Sequence, residues 1–385
     1  MTIRDQTAIA GIGTTEYVRD IGRSELVTAL EAVHEALDDA GLTVKDVDAI
    51  FKIETPGEES VNELDLARNL GAPNLRAWGG AGFGGGAGCA PVVMAATAIA
   101  GGLASVAVAF RARNRGSGGR PWAKTRARPS GPAAFEAPYG LVSPVQQLAV
   151  LARRYLHQYG ATSAQFARVA VAQRANACRN PRAFFREPIT VDDVLSSRLI
   201  ADPLHLLDCS LETDGACAVI VTSADRARDL KQPPAYIAGV AQGMGPRHYM
   251  MSGLIYKDDP FDLPPFYAAR DVYAMAGLGP ADVDVALLYD VFSPMVLWQL
   301  EAYGFCRRGE AGPFVEDGRI DWPDGELPVN THGGSLSEAY VHGFNHVLEA
   351  VRQLRGTSTC QVSGAAVALV AAAAVVPTSA LLLHK

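Results

Sequence analysis

The strongest constraint on the fold is an internal repeat. Residues 40–48 and 276–284 both read Ala-Gly-Leu, a spacer of three residues, and Asp-Val-Asp. In each half a predicted strand, at residues 7–13 or 236–240, is followed by an amphipathic helix that ends at the glycine of the copy. Neither strand–helix–strand unit can bury its apolar faces alone, so the repeat predicts two duplicated halves packed against each other. Chance similarity of a common helix end and turn is the alternative.

Length and composition bound the class of protein. The chain has 385 residues, 49% hydrophobic and 19% charged, enough for a large core formed by halves at residues 1–230 and 231–385. A formal net charge of −7 argues against a nucleic-acid-binding protein. The six cysteines form no CxxC pair, and the N-terminus lacks the apolar segment of a signal peptide, so we expect a soluble cytoplasmic protein with reduced thiols. Two apolar stretches, 87–110 and 364–376, are predicted to be buried core rather than membrane spans.

A basic, glycine-rich stretch at residues 111–128 interrupts the first half. Its basic residues are Arg111, Arg113, Arg115, Arg120, Lys124, Arg126 and Arg128. Because glycine and proline are interleaved with these charges and no acidic residue is present, the stretch predicts a loop. Such a loop is suited to bind the phosphates of a ligand or an acidic partner chain, and a merely solvated loop is the alternative.

A second candidate site is the segment at residues 328–345. Asn330 and the pair Gly333 and Gly334 precede an apolar-periodic run, which is typical of a tight loop that leads into a helix. Tyr340 is predicted to lie just inside that helix. Backbone N–H groups of such a loop, together with a helix N-terminus, favour a phosphate, a thioester oxygen or an enolate.

Five stretches of the chain resemble one known family. They are 200–208 (Ile-Ala-Asp-Pro-Leu-His-Leu-Leu-Asp), 214–216 (Asp-Gly-Ala), 289–293 (Tyr-Asp-Val-Phe-Ser), 304–310 (Gly-Phe-Cys-Arg-Arg-Gly-Glu) and 330–343. Together they resemble the thiolase superfamily over nearly the whole chain, most closely its sterol-carrier-protein and lipid-transfer-protein branch. The resemblance implies an α/β protein with the thiolase fold, in which duplicated βαβαβαββ halves form a five-layered αβαβα arrangement. It also implies an inserted loop region at about 111–200, a homodimer and an acyl-CoA substrate.

The chain departs from this family at the positions that carry thiolase chemistry. Counted by the family spacing, the position of the nucleophilic cysteine falls on Gly85. Cys89, about one turn further along, is expected to be a small buried core residue. The two other catalytic positions, which carry Asn or His in the family, fall on Tyr289 and Tyr340. Cys360 is a candidate for the family's acid/base cysteine, although the residues that follow it match poorly.

This pattern is similar to the steroid side-chain aldolases of the lipid-transfer branch. Without a nucleophile, acid/base chemistry on a bound thioester remains. We therefore predict a carbon–carbon lyase that cleaves a β-hydroxyacyl-CoA steroid to a ketosteroid and propionyl-CoA, with Tyr289 and Tyr340 as the acid/base pair in an order that the sequence leaves open. The predicted substrate-binding residues are Gly85, Asn330, Gly333, Gly334 and His342.

Two alternative functions are compatible with the sequence, a non-catalytic acyl-CoA-binding or scaffold subunit and a thiolase-type acyltransferase. The aldolases that the chain resembles depend on a small partner with an OB-fold and a zinc ribbon, often fused to a MaoC-type hydratase, so we expect a heteromeric complex. No cofactor is predicted, because the CoA thioester is the substrate. No metal is predicted either, because His342 and His346, placed four apart on the predicted helix, lack a third ligand.

Overall fold

The computed structural model describes residues 3–55, 60–118, 129, 131, 133–248 and 251–385. Its strands are β1 (Thr7–Thr14), β2 (Ala49–Ile53), β3 (Ala77–Ala81), β4 (Val106–Asn114), β5 (Leu199–Ala201), β6 (Leu204–His205), β7 (Asp214–Ser223), β8 (Ala235–Gly243), β9 (Val285–Leu288), β10 (Val367–Ala371) and β11 (Thr378–His384). Its α-helices are α1 (Glu25–Ala40), α2 (Glu63–Leu70), α3 (Ala90–Ala100), α4 (Arg115–Gly118), α5 (Ala133–Glu136), α6 (Pro144–Tyr159), α7 (Ser163–Ala177), α8 (Val191–Ser196), α9 (Ala224–Arg228), α10 (Pro264–Ala276), α11 (Pro294–Ala302), α12 (Ala311–Glu316), α13 (Gly334–Ser337) and α14 (Phe344–Arg355).

The central sheet has two related halves. Its strand order is β3-β2-β4-β7-β1-β8-β11-β10-β9, so five strands of the first part of the chain are followed by four of the second. The halves meet where β1 and β8 pair in antiparallel register, Ala8 with Tyr236 and Ile9 with Ala235. In the first half β2 runs parallel to β4, and in the second half β9 runs parallel to β10. Parallel neighbours require a crossover connection, which is usually a helix.

The predicted repeat is present in the structure as β1-α1-β2 and β8-α10-β9. The Ser24 side chain accepts a hydrogen bond from the Val27 amide at the start of α1. The helix ends at Gly41, and α10 ends at Gly277, with φ of 72° and 65°. Both glycines adopt the left-handed conformation that closes a helix without a steric penalty. Local signals therefore fix the same unit twice.

The core is layered. Side chains of one face of the sheet pack with α3 and α14, which are enclosed between strands of both halves. The opposite face packs against α1 in the first half and against α10 in the second. Helices therefore cover both faces of the nine-stranded sheet, in agreement with the predicted α/β class. This arrangement places the buried N-terminal ends of α3 and α14 at the centre of the molecule.

The structure corrects the predicted loop at residues 111–128. Strand β4 extends to Asn114, and Arg111 and Arg113 lie within it with only 2% and 8% of their surface exposed. Arg113 pairs with Glu25 at 3.4 Å, and Arg115, also buried, begins α4. Arg120, Lys124, Arg126 and Arg128 lie outside the described residues. The first three arginines therefore belong to the protein interior rather than to a solvated loop.

The two apolar stretches are confirmed as buried core. Residues 87–110 comprise α3 and most of β4, and residues 364–376 lead through β10 into a buried turn before β11. Within the described ranges, no helix is long and apolar enough to cross a membrane.

Candidate active site

Tyr289 and Tyr340 meet at the wall of a large cavity. The cavity has a volume of about 660 Å³ and is bounded by segments from both halves. The Tyr289 hydroxyl donates a hydrogen bond to the Tyr340 hydroxyl across 3.4 Å. Gly85 and His342 line the same cavity. Three segments that are far apart in the sequence are thus brought together at one site.

Tyr289 is held rigidly by its backbone. It follows the last residue of β9, and its amide donates to the Ala371 carbonyl at 3.0 Å and to Oε1 of Gln299 at 3.2 Å. The Gln299 amide group in turn donates to the Tyr289 carbonyl at 2.7 Å. Because Tyr289 is only 2% exposed, its ring has little freedom to leave this position.

The phenol of Tyr289 lies against the position predicted for a nucleophile. Gly85 is in a 3₁₀ turn, Gly84–Ala87, just before α3. A Cβ atom on Gly85 would lie 2.5 Å from the Tyr289 hydroxyl oxygen, well inside van der Waals contact. A Cβ on Gly343 would lie 2.6 Å from Cδ2 of the same ring. The two glycines therefore provide the space that the phenol occupies.

The two cysteines that the sequence singled out lie away from the cavity lining. Cys89 is fully buried, its thiol donates to the Val370 carbonyl at 3.5 Å, and burial raises its pKa well above the ordinary range. Cys360 is also buried and donates to the Asn176 carbonyl at 3.6 Å, outside the cavity lining. Cys209, which the sequence did not single out, does line the cavity, and its thiol donates to the His205 carbonyl at 3.3 Å.

Tyr340 does not lie inside a helix, as the sequence predicted. Helix α13 ends at Ser337 and α14 begins at Phe344, so Tyr340 is in the connection between them. Its amide donates to Oγ1 of Thr213 at 3.1 Å. The connection carries the phenol to the cavity wall, where it is more exposed than Tyr289.

The environment separates the roles of the two phenols. Burial, followed by the neighbouring Tyr340, raises the pKa of Tyr289 well above its ordinary value of about 10. Tyr289 is therefore protonated near neutral pH and is suited to donate a proton or a hydrogen bond. A phenol in this state is a poor proton acceptor.

His342 also lies outside a helix, so the predicted spacing with His346 on one helix face is wrong. His342 has a left-handed φ of 56° and precedes α14, whereas His346 lies within it. The Nδ1 atom of His342 is 2.5 Å from Nη2 of Arg111, while His346 Nε2 contacts the Leu288 carbonyl at 3.1 Å. Among the described residues, no group of three histidine, cysteine or carboxylate side chains is arranged to hold a metal.

Three predicted substrate-binding residues lie behind Tyr289 rather than in the cavity lining. Asn330 forms two hydrogen bonds of 2.8 Å with the backbone of Leu288, one as donor and one as acceptor. A Cβ on Gly334 would lie 2.1 Å from the Asp290 carboxylate, and one on Gly333 would lie 2.6 Å from the side chain of Ala177. These contacts give Asn330, Gly333 and Gly334 a supporting place in the fold, and their contact with a substrate stays a prediction.

Asp290 occupies the donors that the sequence assigned to a ligand. Its carboxylate accepts hydrogen bonds from the amides of Ser335 and Leu336, at 2.7 and 3.0 Å, at the start of α13. The carboxylate therefore caps α13, and its Oδ1 also lies 3.2 Å from Nε2 of His346. Two amides of this turn are thus bound to the protein's own carboxylate.

The rest of the cavity wall carried little local signal in the sequence, apart from Arg115 of the basic stretch. Its apolar part includes Phe83, Leu148, Phe184, Met251, Phe292 and Met295. Its cations are Arg19, Arg115, Arg174 and Arg198, which come from four separate segments. A large apolar wall with a few convergent charges is the arrangement expected for a ligand with an apolar body and an anionic end.

Comparison with known proteins places the chain among enzymes of one type. The family described as Thiolase C-terminal domain-like matches residues 254–383. The chain is 47% identical over 384 residues to a steroid side-chain-cleaving aldolase from Thermomonospora curvata, with 98% of this chain and 97% of that protein covered. It is 48% identical over 388 residues to the 17-hydroxy-3-oxo-4-pregnene-20-carboxyl-CoA lyase of Mycobacterium tuberculosis, with 98% and 99% covered. A solved structure of an Ltp2-ChsH2(DUF35) aldolase matches 100% of this chain and 99% of its own with a TM-score of 0.94 and 46% identity.

Proposed function

The chain belongs to the thiolase superfamily, in the group of steroid side-chain-cleaving aldolases, and from this premise we propose that Tyr289 and Tyr340 catalyse a retro-aldol cleavage. The enzyme is a carbon–carbon lyase that acts on a CoA ester. The proposed substrate is a steroid β-hydroxyacyl-CoA with a tertiary alcohol, and the proposed products are a ketosteroid and propionyl-CoA. No cofactor takes part, because CoA is a portion of the substrate.

One observation carries this proposal. The hydroxyl groups of Tyr289 and Tyr340 lie 3.4 Å apart at the cavity wall, and the first of them fills the space that a side chain at Gly85 would need. A thiolase-type acyltransferase requires a nucleophile at that place. Two adjacent phenols instead supply a proton acceptor and a proton donor, which are what the cleavage of a β-hydroxy thioester needs.

The hydrogen bond between the phenols supports one order of proposed steps. Tyr340, whose oxygen accepts the hydrogen bond from Tyr289, acts as its phenolate and takes the proton of the β-hydroxyl. The Cα–Cβ bond then breaks, a ketone forms at Cβ, and the electron pair passes through Cα to the thioester oxygen as an enolate. Tyr289 protonates Cα, and the proton on Tyr340 returns to Tyr289 across their hydrogen bond. Atoms and charge balance without any external reagent.

The cavity has separate places for the two ends of the substrate. Its apolar wall suits a steroid ring system, which has no charge and little hydrogen-bonding capacity. Arg19 and Arg198 are exposed at the cavity, and Arg115 and Arg174 are buried beside it. Guanidinium groups pair well with phosphates, so we place the phosphates of CoA at this basic side. Gly85 and His342 are placed next to the reacting thioester.

Two partner chains are part of the proposal. A relative of known structure is described together with a DUF35 partner, and we propose that this chain binds a small partner of the same type, encoded alone or fused to a MaoC-type hydratase.

We also propose a homodimer through β3, which is an edge strand of the sheet. Trp78, Met94 and Leu103 form an exposed apolar groove beside it, and edge strands readily pair with a second copy. A cytoplasmic location follows from the reduced thiols that such an enzyme would keep.

One assay tests the function. The purified chain, with and without a DUF35-type partner, is given a steroid β-hydroxyacyl-CoA, and products are followed by mass spectrometry. Release of propionyl-CoA and a ketosteroid without added free CoA is the expected result. A requirement for free CoA would indicate a thiolase-type acyltransferase, and no turnover in either case would indicate a scaffold subunit.

A further inference from the structure

We propose that His342 donates a hydrogen bond from Nε2 to the thioester oxygen of the substrate, and that Arg111 is the positioning residue that fixes the imidazole for this task. The inference rests on the proposed retro-aldol function, because the thioester oxygen becomes an enolate oxygen in that reaction. A donor aimed at an oxygen that gains charge stabilises the transition state more than the ground state.

The contact between the two side chains defines the tautomer of His342. Arg111 lies within β4 and is 2% exposed. Its Nη2 atom is 2.5 Å from Nδ1 of His342. It also donates to the Ile53 carbonyl at 3.3 Å and to Oγ1 of Thr55 at 3.4 Å, so its guanidinium is held by several groups. A guanidinium has donors only. Nδ1 must therefore accept, and the proton of the neutral ring is on Nε2.

Burial and the surrounding positive charges keep the imidazole of His342 neutral. Burial is the main cause that lowers the pKa of His342 well below its ordinary value, and the positive charges of Arg111, Arg115 and Arg113 add to it. On the other side of the ring the neighbouring group is the Tyr340 ring, with the two centroids 5.1 Å apart. A neutral imidazole in this setting gives up no proton to the enolate and offers a fixed N–H donor, while the phenols carry the proton transfers.

The backbone supports a specific placement of this ring. His342 has a φ of 56°, a conformation that residues with a side chain rarely adopt. It is followed by Gly343, at which a Cβ would collide with the Tyr289 ring. The same short turn thus fixes the imidazole beside Tyr340 and makes room for Tyr289. The result is that all three side chains converge on one part of the cavity wall.

A simpler role for His342 is to accept the hydrogen bond of Arg111 and hold that arginine in the core. Two substitutions separate the roles, because the amide of asparagine lies near the position of Nδ1 and the amide of glutamine lies near that of Nε2. His342→Asn keeps an acceptor for Arg111 and loses the donor to the substrate. His342→Gln keeps a donor near Nε2 and loses the acceptor for Arg111.

The experiment measures kcat, KM and melting temperature for both variants in the complete enzyme. We expect His342→Asn to lose about 10²–10³-fold in kcat, the loss typical of one donor to an oxyanion, with a melting temperature close to that of the wild type. His342→Gln is expected to retain kcat within about tenfold. The reverse order, equal losses, or wild-type kcat in both variants would overturn the assignment of the donor.

Arg111 is tested by a second pair. Arg111→Met removes the fixed charge and leaves Arg113 and Arg115 as the cations that face His342, so kcat should fall and its decline towards low pH should begin at a higher pH than in the wild type. Arg111→Lys should restore part of kcat and reverse that change in pH dependence. If Arg111→Met lowers only the melting temperature and leaves the pH profile of kcat unchanged, Arg111 is not a positioning residue. A wild-type enzyme that makes no propionyl-CoA would refute the proposed function instead, and the variants would not be needed to show it.

Discussion

The hydroxyl oxygen of Tyr289 occupies the space that a side chain on Gly85 would enter, with 2.5 Å between that oxygen and an ideal Cβ. The phenol of Tyr289 can occupy this space only because residue 85 has no side chain. A cysteine at position 85 would displace the phenol from Tyr340, and any smaller ring at position 289 would leave a gap in the cavity wall. The absence of a nucleophilic side chain at position 85 is therefore linked to the presence of the Tyr289 phenol beside it.

The first prediction follows from that distance. Gly85→Ala adds a methyl group that must push the Tyr289 phenol away, so turnover should fall by about 10²-fold or more, as it does when a catalytic acid is misplaced. Gly118→Ala is the matched control, because a Cβ there enters open space. Steady-state kinetics of both variants test the prediction, and wild-type turnover in Gly85→Ala would show that the contact does not position the phenol.

The second prediction is that no thiol acts as a nucleophile. Cys89→Ala removes a small buried group, and Cys209→Ala removes the thiol that lines the cavity, so both enzymes should retain most of their turnover. Intact-protein mass spectrometry during turnover should find no acyl adduct. A folded variant without activity, or an acylated cysteine, would contradict the retro-aldol mechanism.

A third prediction concerns the basic side of the cavity. If Arg19 and Arg198 hold the phosphates of CoA, the double variant Arg19→Ala, Arg198→Ala should raise KM about tenfold or more and weaken its dependence on salt, with kcat little changed. Arg228→Ala is the control, because that arginine is exposed and pairs with Asp225 on the surface. An unchanged KM at low salt would show that the phosphates of CoA do not bind at this side of the cavity.

A fourth prediction concerns stability against acid. Burial and the neighbouring His346 lower the pKa of His332 to about 3, whereas an unfolded histidine titrates near 6.5. Between these values the unfolded chain binds one more proton, so the stability from neutral His332 is fully present above about 6.5 and is lost as the pH falls towards 3. His332→Gln should reduce the slope of unfolding free energy against pH between about 5.5 and 4 by about one proton, ~1.4 kcal/mol per pH unit. His34→Gln, on an exposed residue, controls for the loss of a histidine, and equal slopes in wild type and His332→Gln would contradict the prediction.

The sequence was sufficient for features that depend on local pattern. The repeat and the helix ends at Gly41 and Gly277 follow from capping and periodicity, and the structure has them where they were predicted. Tyr289 and Tyr340 were found because the family spacing marks those positions. Their distance and the collision at Gly85 depend on tertiary packing and have no local signal.

The wrong predictions also concern features that depend on tertiary packing. Arg111 and Arg113 were predicted in a loop because glycine and proline are interleaved with the basic residues and no acidic residue is present. Their partners, His342 and Glu25, are remote in the sequence. His342 was predicted on a helix because its apolar period continues across Gly343. The left-handed backbone at these two residues, with φ of 56° and 74°, delays the helix to Phe344.

The central claim is that both phenols take part in the chemistry, and removal of each hydroxyl tests it most directly. Tyr289→Phe and Tyr340→Phe keep the rings that pack the cavity wall, and Tyr303→Phe is the control, because that buried hydroxyl has no hydrogen-bond partner within the described residues. The measurement is kcat for propionyl-CoA release without free CoA, together with the melting temperature. We expect each site variant to lose about 10²–10⁴ in kcat at an almost unchanged melting temperature, the double variant to lose far less than the product of the two, and the control to match the wild type. A folded Tyr289→Phe or Tyr340→Phe enzyme within about threefold of wild-type kcat would contradict the claim, since one general acid or base contributes at least ~10²-fold.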